Sequence, residues 1–296
     1  MGTPEYTVTE AISLFRRIGL EGAEIVVQDG FLSGLPTNAT EAQLEEIKKC
    51  AEENNIEIVC LTPYFSRYND PDDAARDADI AGLKRVIGYA RYLNAGFIRI
   101  YAGNYPQDAA DPDGEKRRRL ISALRLLGDE AQNAGIRLVI ENHFNTMAVS
   151  AAQTASLLSE INHPAVGALY DQVNLAFTYN EDYPEAIALQ KQYIYYTHVK
   201  DLVFKSEKKF FASSDVSHPD DSERNVLSKI VGEGIMPWKE ILSCLRGAGY
   251  KGWLSLEYER RWHPEDIPDA SVGMKKSAEY VRSCFPLIET IGTSGK

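Results

Sequence analysis

The sequence has no C-x-x-C pair, no G-x-G-x-x-G turn, only five histidines and no apolar run approaching a membrane span. Each absence removes a class of function. Cys50, Cys60, Cys244 and Cys284 are far apart, and none stands beside a candidate general base. They read as buried reduced thiols rather than a redox or metal site. Without a glycine-rich phosphate turn after a first strand, a dinucleotide-binding doubly wound sheet lacks its usual mark. A transmembrane helix needs about 18 or more consecutive apolar residues, and the opening MGTPEYTVTE has no basic and apolar signal pattern. A soluble, cytoplasmic chain with no membrane partner is expected. Positive charge is also short: 32 Lys and Arg face 43 Asp and Glu, for a net charge of -11. Such a surface repels phosphate backbones, so a nucleic-acid partner is not expected.

The chain does contain a repeated couplet of a helical period followed by a short β-rich run. Its 296 residues, 44% hydrophobic and 25% charged, are enough for one large core, and we expect a single domain over residues 1–296. VTEAISLFRRIGL places Ile12, Phe15 and Ile18 on one stripe and leads into EGAEIVV. Thr40 caps the helix before IEIVCLTP. A helix over 71–94 leads to FIRIYAG, and one over 115–133 passes through Gly135 to RLVIENH. AAQTASLLSEI with VGALYDQVN, EDYPEAIALQ with YIYYTHVKD, and PWKEILSCLRGAG with GWLSLEYE complete seven couplets, before a closing helix over 270–290. Near-continuous apolar strands alternating with helices imply a parallel sheet covered by helices. A (β/α)8 TIM barrel is the expected fold, with its first strand missing, reduced to GTPEYT, or lost. The polar stretch 204–225 is long enough for a functional loop over a site.

In such a barrel the site forms at the C-terminal strand ends. These ends carry Glu141 and His143 in VIENH, Asp171 and Asn174 in LYDQVN, His198 and Lys200 in THVKD, and Glu257 and Glu259 in LSLEYE. Alternate strand residues share a face, so Glu141 sides with His143, His198 with Lys200, and Glu257 with Glu259, while Ile140, Val199 and Leu256 point the other way. Three carboxylates brought together repel one another and push at least one pKa upward unless a cation intervenes. One divalent metal held by Glu141, Asp171, His198 and Glu257 resolves that conflict. The oxygen-rich set suits Mn²⁺ or Mg²⁺ better than Zn²⁺.

These residues resemble the xylose-isomerase-like TIM barrels, in particular the sugar phosphate isomerase/epimerase branch with tagatose 3-epimerase and inosose dehydratase. IENH, the Asp of LYDQVN, THVKD, VGEG followed by PWKEIL, and GYKGWLSLEYE carry the likeness, which covers nearly the whole chain. The resemblance implies that Glu141, Asp171, His198 and Glu257 bind one metal, commonly manganese, and that Glu141 and Glu257 form the acid/base pair. Members are often dimers or tetramers, so a homo-oligomer or a partner subunit over the rim is in keeping with it. Two departures stand out. Asn174 occupies the place of a histidine, and Phe204 that of an arginine, which grip the substrate in ketose 3-epimerases.

The expected chemistry is proton abstraction next to the carbonyl of a small sugar or keto-sugar, giving an enediolate that is reprotonated in isomerisation or epimerisation. The same intermediate could instead expel a β-substituent, as in a dehydratase or a lyase splitting 3-keto-C-glycosides. His143 is the candidate extra acid or base for that route. Lys200 could hold an enolate oxygen or simply pair with the neighbouring acids. Glu259, Arg260, Trp262 and His263 of EYERRWHPED could form a sugar-binding wall, as could Tyr64, Tyr101 and Asn104 at neighbouring strand ends. Trp238 and Trp253 read as packing residues. An apurinic endonuclease would need more histidines and a basic groove, and a catalytically inert barrel would not need the full ligand set.

Overall fold

The computed structural model describes residues 1–106, 109–179, 181–205 and 225–285. In chain order the elements are α1 (Val8–Arg17), β1 (Gly22–Val27), β2 (Gly34–Leu35), α2 (Glu41–Asn54), β3 (Glu57–Pro63), α3 (Asp73–Leu93), β4 (Phe97–Ile100), α4 (Glu115–Asn133) and β5 (Arg137–Glu141). They continue with α5 (Ala151–Ile161), β6 (Val166–Asp171), α6 (Gln172–Tyr179), α7 (Tyr183–Gln190), β7 (Ile194–Val199), β8 (Asp201–Phe204), β9 (Val226–Lys229), α8 (Trp238–Gly247), β10 (Leu254–Leu256) and α9 (Ala270–Ser283).

Eight parallel strands form one curled sheet in the order β10-β7-β6-β5-β4-β3-β1-β2. The alternation of helices with one curled parallel sheet is that of the expected (β/α)8 TIM barrel. Among the described residues, no strand precedes α1. The place beside β1 that a first barrel strand would fill is taken in part by the two-residue β2, paired through Val26 with Gly34 and Val27 with Leu35. A cavity of about 140 Å³ remains between β1 and β10, lined by Glu24, Tyr196, His198, Ser255 and Glu257 with residues 1–3 and α1.

Local chemistry sets the boundaries. Thr40 and Thr7 each close a capping box, with Gln43 and Glu10 as the respective partners. α3 begins after Asp72, whose carboxylate accepts from Ala74 N–H at 3.0 Å, and ends on left-handed Asn94. The strand expected through VGALYDQVN stops at Asp171, because Asp171 Oδ1 accepts the Asn174 N–H at 2.9 Å and so caps α6. α9 ends at Ser283, and the rest of the expected closing helix beyond residue 285 lies outside the described residues. Of the expected 204–225 loop, residues 206–224 lie outside them also; its ends enter the antiparallel pair β8–β9, with Phe204 opposite Val226.

The two faces of the sheet differ in kind. Ile58, Leu61, Ile98, Ile100, Leu138, Ile140 and Ala168 pack outward into the main core with α1 to α5. On the other face a smaller cluster of Val59, Cys60, Val139, Leu169 and Tyr196, with Phe97 and Trp253, fills the lower barrel. Two residues further along the same strands, that face turns polar: Thr62, Arg99, Glu141, Asp171, His198 and Ser255. An apolar floor thus lies under a charged rim.

Candidate metal centre

Four neighbouring strands bring Glu141, Asp171, His198 and Glu257 together, and each offers one ligand atom within 4.8 Å of the others. Opposite ligands of a Mn²⁺ or Mg²⁺ ion with metal–oxygen distances near 2.1 Å sit about 4.2 Å apart, so a small inward adjustment would suffice. Glu141, Asp171 and His198 are buried at 0 to 2% exposure. Glu141 Oε1 and Oε2, Asp171 Oδ2, His198 Nδ1 and Glu257 Oε2 have no hydrogen-bond partner. Buried acceptors left bare are costly, and their convergence at strand ends fits a divalent cation.

Two fixed cations already temper the site. Arg99 Nε lies 2.8 Å from Glu141 Oε2, and Lys200 Nζ lies 3.0 Å from Asp171 Oδ2, 2.7 Å from Glu257 Oε2 and 3.3 Å from Glu259 Oε1. The contacts of Arg99 Nε with Glu141, and of Lys200 with the bare oxygens of Asp171 and Glu257, are close in distance but not aligned as hydrogen bonds. Glu24, Glu141, Asp171, Glu257 and Glu259 still outnumber them, so negative charge remains for a metal to balance.

The protonation pattern follows. Burial would raise the Glu141 carboxyl, but Arg99 and His198 outweigh it and hold it low. Burial would likewise raise Glu257, and Lys200 and His198 hold it well below the usual range. Asp171 goes the other way: burial, with Glu257 and Glu141 nearby, pushes it up to about 7. Burial works against a charged His198, yet Glu24 and Glu257 beside it raise its pKa.

The remaining expected site residues separate into two sets. His143 lies near the cluster, its ring 4.9 Å from Tyr101 and its Nδ1 2.9 Å from the Phe144 carbonyl. Burial lowers its pKa to about 4, so it is neutral near pH 7. Tyr101 accepts from Arg99 at 2.9 Å, and Tyr64 stands edge-on between Tyr101 and Phe31. Trp262 meets Phe31 at 6.3 Å, extending this aromatic wall. Asn174 turns its amide to the Asn142 carbonyl at 2.8 Å. Arg260 faces away, binding Glu5, the Pro264 carbonyl and the Ile267 carbonyl. His263 Nδ1 lies 4.0 Å from Glu265, and the Asn104 backbone is tied to the Asn69 side chain by two hydrogen bonds.

Residues 12–284 match the family described as xylose isomerase-like TIM barrel. The chain belongs to that family. An inosose dehydratase from Geobacillus thermodenitrificans is 28% identical over 141 residues, which make up 48% of this chain and 46% of the relative. The chain spans about half the length of the curated relatives it matches. A D-allulose 3-epimerase from Methylomonas sp. superposes with a TM-score of 0.74 at 15% identity, covering 96% of this chain and 94% of that one. The IOLI protein, solved with a binding zinc atom, gives a TM-score of 0.74 at 16% identity over 95% of both chains. Both likenesses concern the fold.

In this xylose isomerase-like barrel a buried charge, Arg99, and a half-buried one, Glu24, sit at the site although sequence reasoning passed over them. Arg99 is the single charge in FIRI and Glu24 the single charge in AEIVV. A lone charge inside an apolar strand is the signal that would have found both, since burying one requires a partner. Burial would raise the Glu24 carboxyl, but His198, with hydrogen bonds from His198, Thr62 and Ser255, holds it at about 2.

Proposed function

We propose that the protein is a divalent-metal-dependent isomerase or epimerase of a small sugar or keto-sugar. The carrying observation is the set of bare, buried ligand atoms on Glu141, Asp171, His198 and Glu257. Mn²⁺ or Mg²⁺ suits this donor set, and when bound it would act as a Lewis acid on a ketone oxygen and the adjacent hydroxyl. Glu257 would take the proton from the carbon next to the carbonyl, and Glu141 would serve as its partner across the substrate. Lys200, already within 3.3 Å of three carboxylates, would donate to the enolate oxygen. The aromatic wall of Tyr64, Tyr101 and Trp262 would cover the sugar's apolar face, with Glu259 at its polar edge. Asn174, Asn104, Arg260 and His263 would act by shaping the surrounding loops. Residues 1–296 act in this reading as one catalytic unit, in the cytoplasm.

A second reading is a lyase that eliminates a β-substituent from the same enediolate. The placement of His143 against Tyr101, beside Glu141, favours it, because elimination needs a further proton-transferring group. So does the name inosose dehydratase carried by the relative above.

Incubation with Mn²⁺ and a panel of keto-sugars in D₂O tests both. Deuterium gained next to the carbonyl with the skeleton intact supports the isomerase, and an unsaturated or deglycosylated product supports the lyase. No exchange and no product with any sugar would overturn both.

A further inference from the structure

One layer below the candidate metal centre, a single carboxylate of β1 reaches β10 and β7, strands with which β1 is not paired. β1 and β10 flank the incompletely filled side of the sheet, and Glu24 of β1 reaches across it. Its Oε2 accepts from Ser255 Oγ of β10 at 2.7 Å and from Tyr196 OH of β7 at 3.0 Å. Its Oε1 accepts from Thr62 Oγ1 of β3 at 2.6 Å. His198 Nε2 lies 3.2 Å from both oxygens.

These contacts determine which ring nitrogen of His198 carries hydrogen. An ionised carboxylate only accepts, and the three hydroxyls can each rotate a proton toward it. The fourth neighbour, Nε2, must then also be a donor. As a metal ligand the imidazole is neutral and keeps one N–H, so with that hydrogen on Nε2 the lone pair lies on Nδ1. Nδ1 is the atom that faces the cluster, 3.5 Å from Glu141 Oε1 and 3.3 Å from Glu257 Oε2. The cavity beside Glu24 would let an untethered side chain swing away, and the three hydroxyls prevent this.

We propose that Glu24 is a positioning residue for His198: it fixes the Nε2–H tautomer and the ring plane, so that Nδ1 is presented ready-made to a divalent metal. The inference rests on the reading that Glu141, Asp171, His198 and Glu257 bind such an ion. Thr62, Tyr196 and Ser255 act through Glu24, holding the carboxylate where the cavity between β1 and β10 leaves room for it to move. Outer partners of this kind tune affinity by orienting a ligand rather than by touching the ion.

The test combines Mn²⁺ titration calorimetry with proton and nitrogen NMR of the histidine ring, on the full chain. Glu24→Gln keeps the volume but can face Nε2 with an amide. Its Mn²⁺ affinity is expected to fall roughly 10- to 100-fold, and the strongly deshielded Nε2–H signal of the wild type to move upfield. Unchanged affinity in Glu24→Gln overturns the proposal, as does a wild-type ring whose Nε2 carries no hydrogen. A wild-type protein that binds no Mn²⁺ sinks the metal reading itself, and the Nε2–H signal then still decides whether Glu24 orients the ring. Should Glu24→Gln fail to fold, Ser255→Ala removes one tether without touching His198. It is expected to shift the Nε2–H signal and weaken Mn²⁺ binding by a smaller factor, and no change in either overturns the role.

Discussion

Glu141 and Glu257 reach the same cluster from unlike walls. Glu141 leaves β5 at 1% exposure with the guanidinium of Arg99, on the neighbouring β4, 2.8 Å away. Glu257 stands just past β10 at 17% exposure with the ammonium of Lys200 at 2.7 Å. Arg99 is itself fixed, lying 4.0 Å above the Tyr101 ring and donating to its hydroxyl. A guanidinium spreads its charge over a planar fork, whereas the Lys200 ammonium is a compact point charge set among Asp171, Glu257 and Glu259. The difference separates two carboxylates that look symmetrical in sequence: Glu141 is held by one guanidinium that is itself buried, and Glu257, more exposed, shares its ammonium with Asp171 and Glu259.

The sharpest way to break that comparison is Glu257→Gln. Solvent deuterium exchange is expected to drop by about 10²- to 10⁴-fold, the scale of a lost general base. Mn²⁺ binding measured alongside separates loss of the base from loss of the ligand. Full exchange in this variant would remove Glu257 from the chemistry.

Arg99→Met comes next, and its effect belongs to folding. Without the guanidinium, Glu141 is a buried carboxylate with no fixed counter-charge, which costs about 3 to 5 kcal/mol. Urea unfolding of the metal-free protein should register that loss, and added Mn²⁺ should recover part of it by binding the folded state. A change below about 1 kcal/mol would mean that the wall does not depend on the pair.

Much of this arrangement can be read from the sequence, and the gaps have physical causes. The seven couplets, the Thr40 cap and the outward orientation of Ile140 follow from periodicity and local hydrogen bonding, which the chain carries residue by residue. The gathering of Glu141, Asp171, His198 and Glu257 follows from strand ends and parity. Arg99 and Glu24 escape because each sits inside a strand rather than at its end, where their partners, Glu141 in one case and Thr62, Tyr196, His198 and Ser255 in the other, come from other strands. The early end of β6 escapes for a similar reason. Asp171 both faces the cluster and caps α6, and a pattern of apolar residues does not distinguish a strand's last residue from the first turn of the helix after it.

Lys200→Met tests the second wall with a smaller expected effect of mixed sign. Removing the ammonium leaves Asp171 and Glu257 without their nearest positive charge, so the metal-free protein should lose stability. It also removes a cation competing for the same oxygens, so Mn²⁺ should raise Tm by at least about 3 °C more than in the wild type, equivalent to roughly 1 kcal/mol. Equal metal-induced shifts in the two proteins would show that Lys200 and the metal do not contend for those atoms.

The smallest effect on metal binding should come from Asp201, which explains why THVKD and VGEG belong together. Its carboxylate accepts from the backbone N–H groups of Leu202 at 2.9 Å, Gly232 at 2.9 Å, Gly234 at 3.2 Å and Met236 at 3.1 Å. Position 234 must be glycine, since a Cβ there would collide with that carboxylate. The indole of Trp238 donates to the Lys200 carbonyl at 2.9 Å, so the start of α8 also steadies the backbone two residues past His198. Asp201→Asn replaces one acceptor oxygen with a donor that faces N–H groups. It should cost about 1 to 3 kcal/mol, the penalty for a buried donor left unmade, as read by urea unfolding. Because Asp201 steadies the strand exit rather than a ligand atom, Mn²⁺ affinity should change less than in Glu24→Gln. A loss of affinity equal to that of Glu24→Gln would show instead that the β7 exit, and not the tautomer of one ring, governs how the cluster receives its metal.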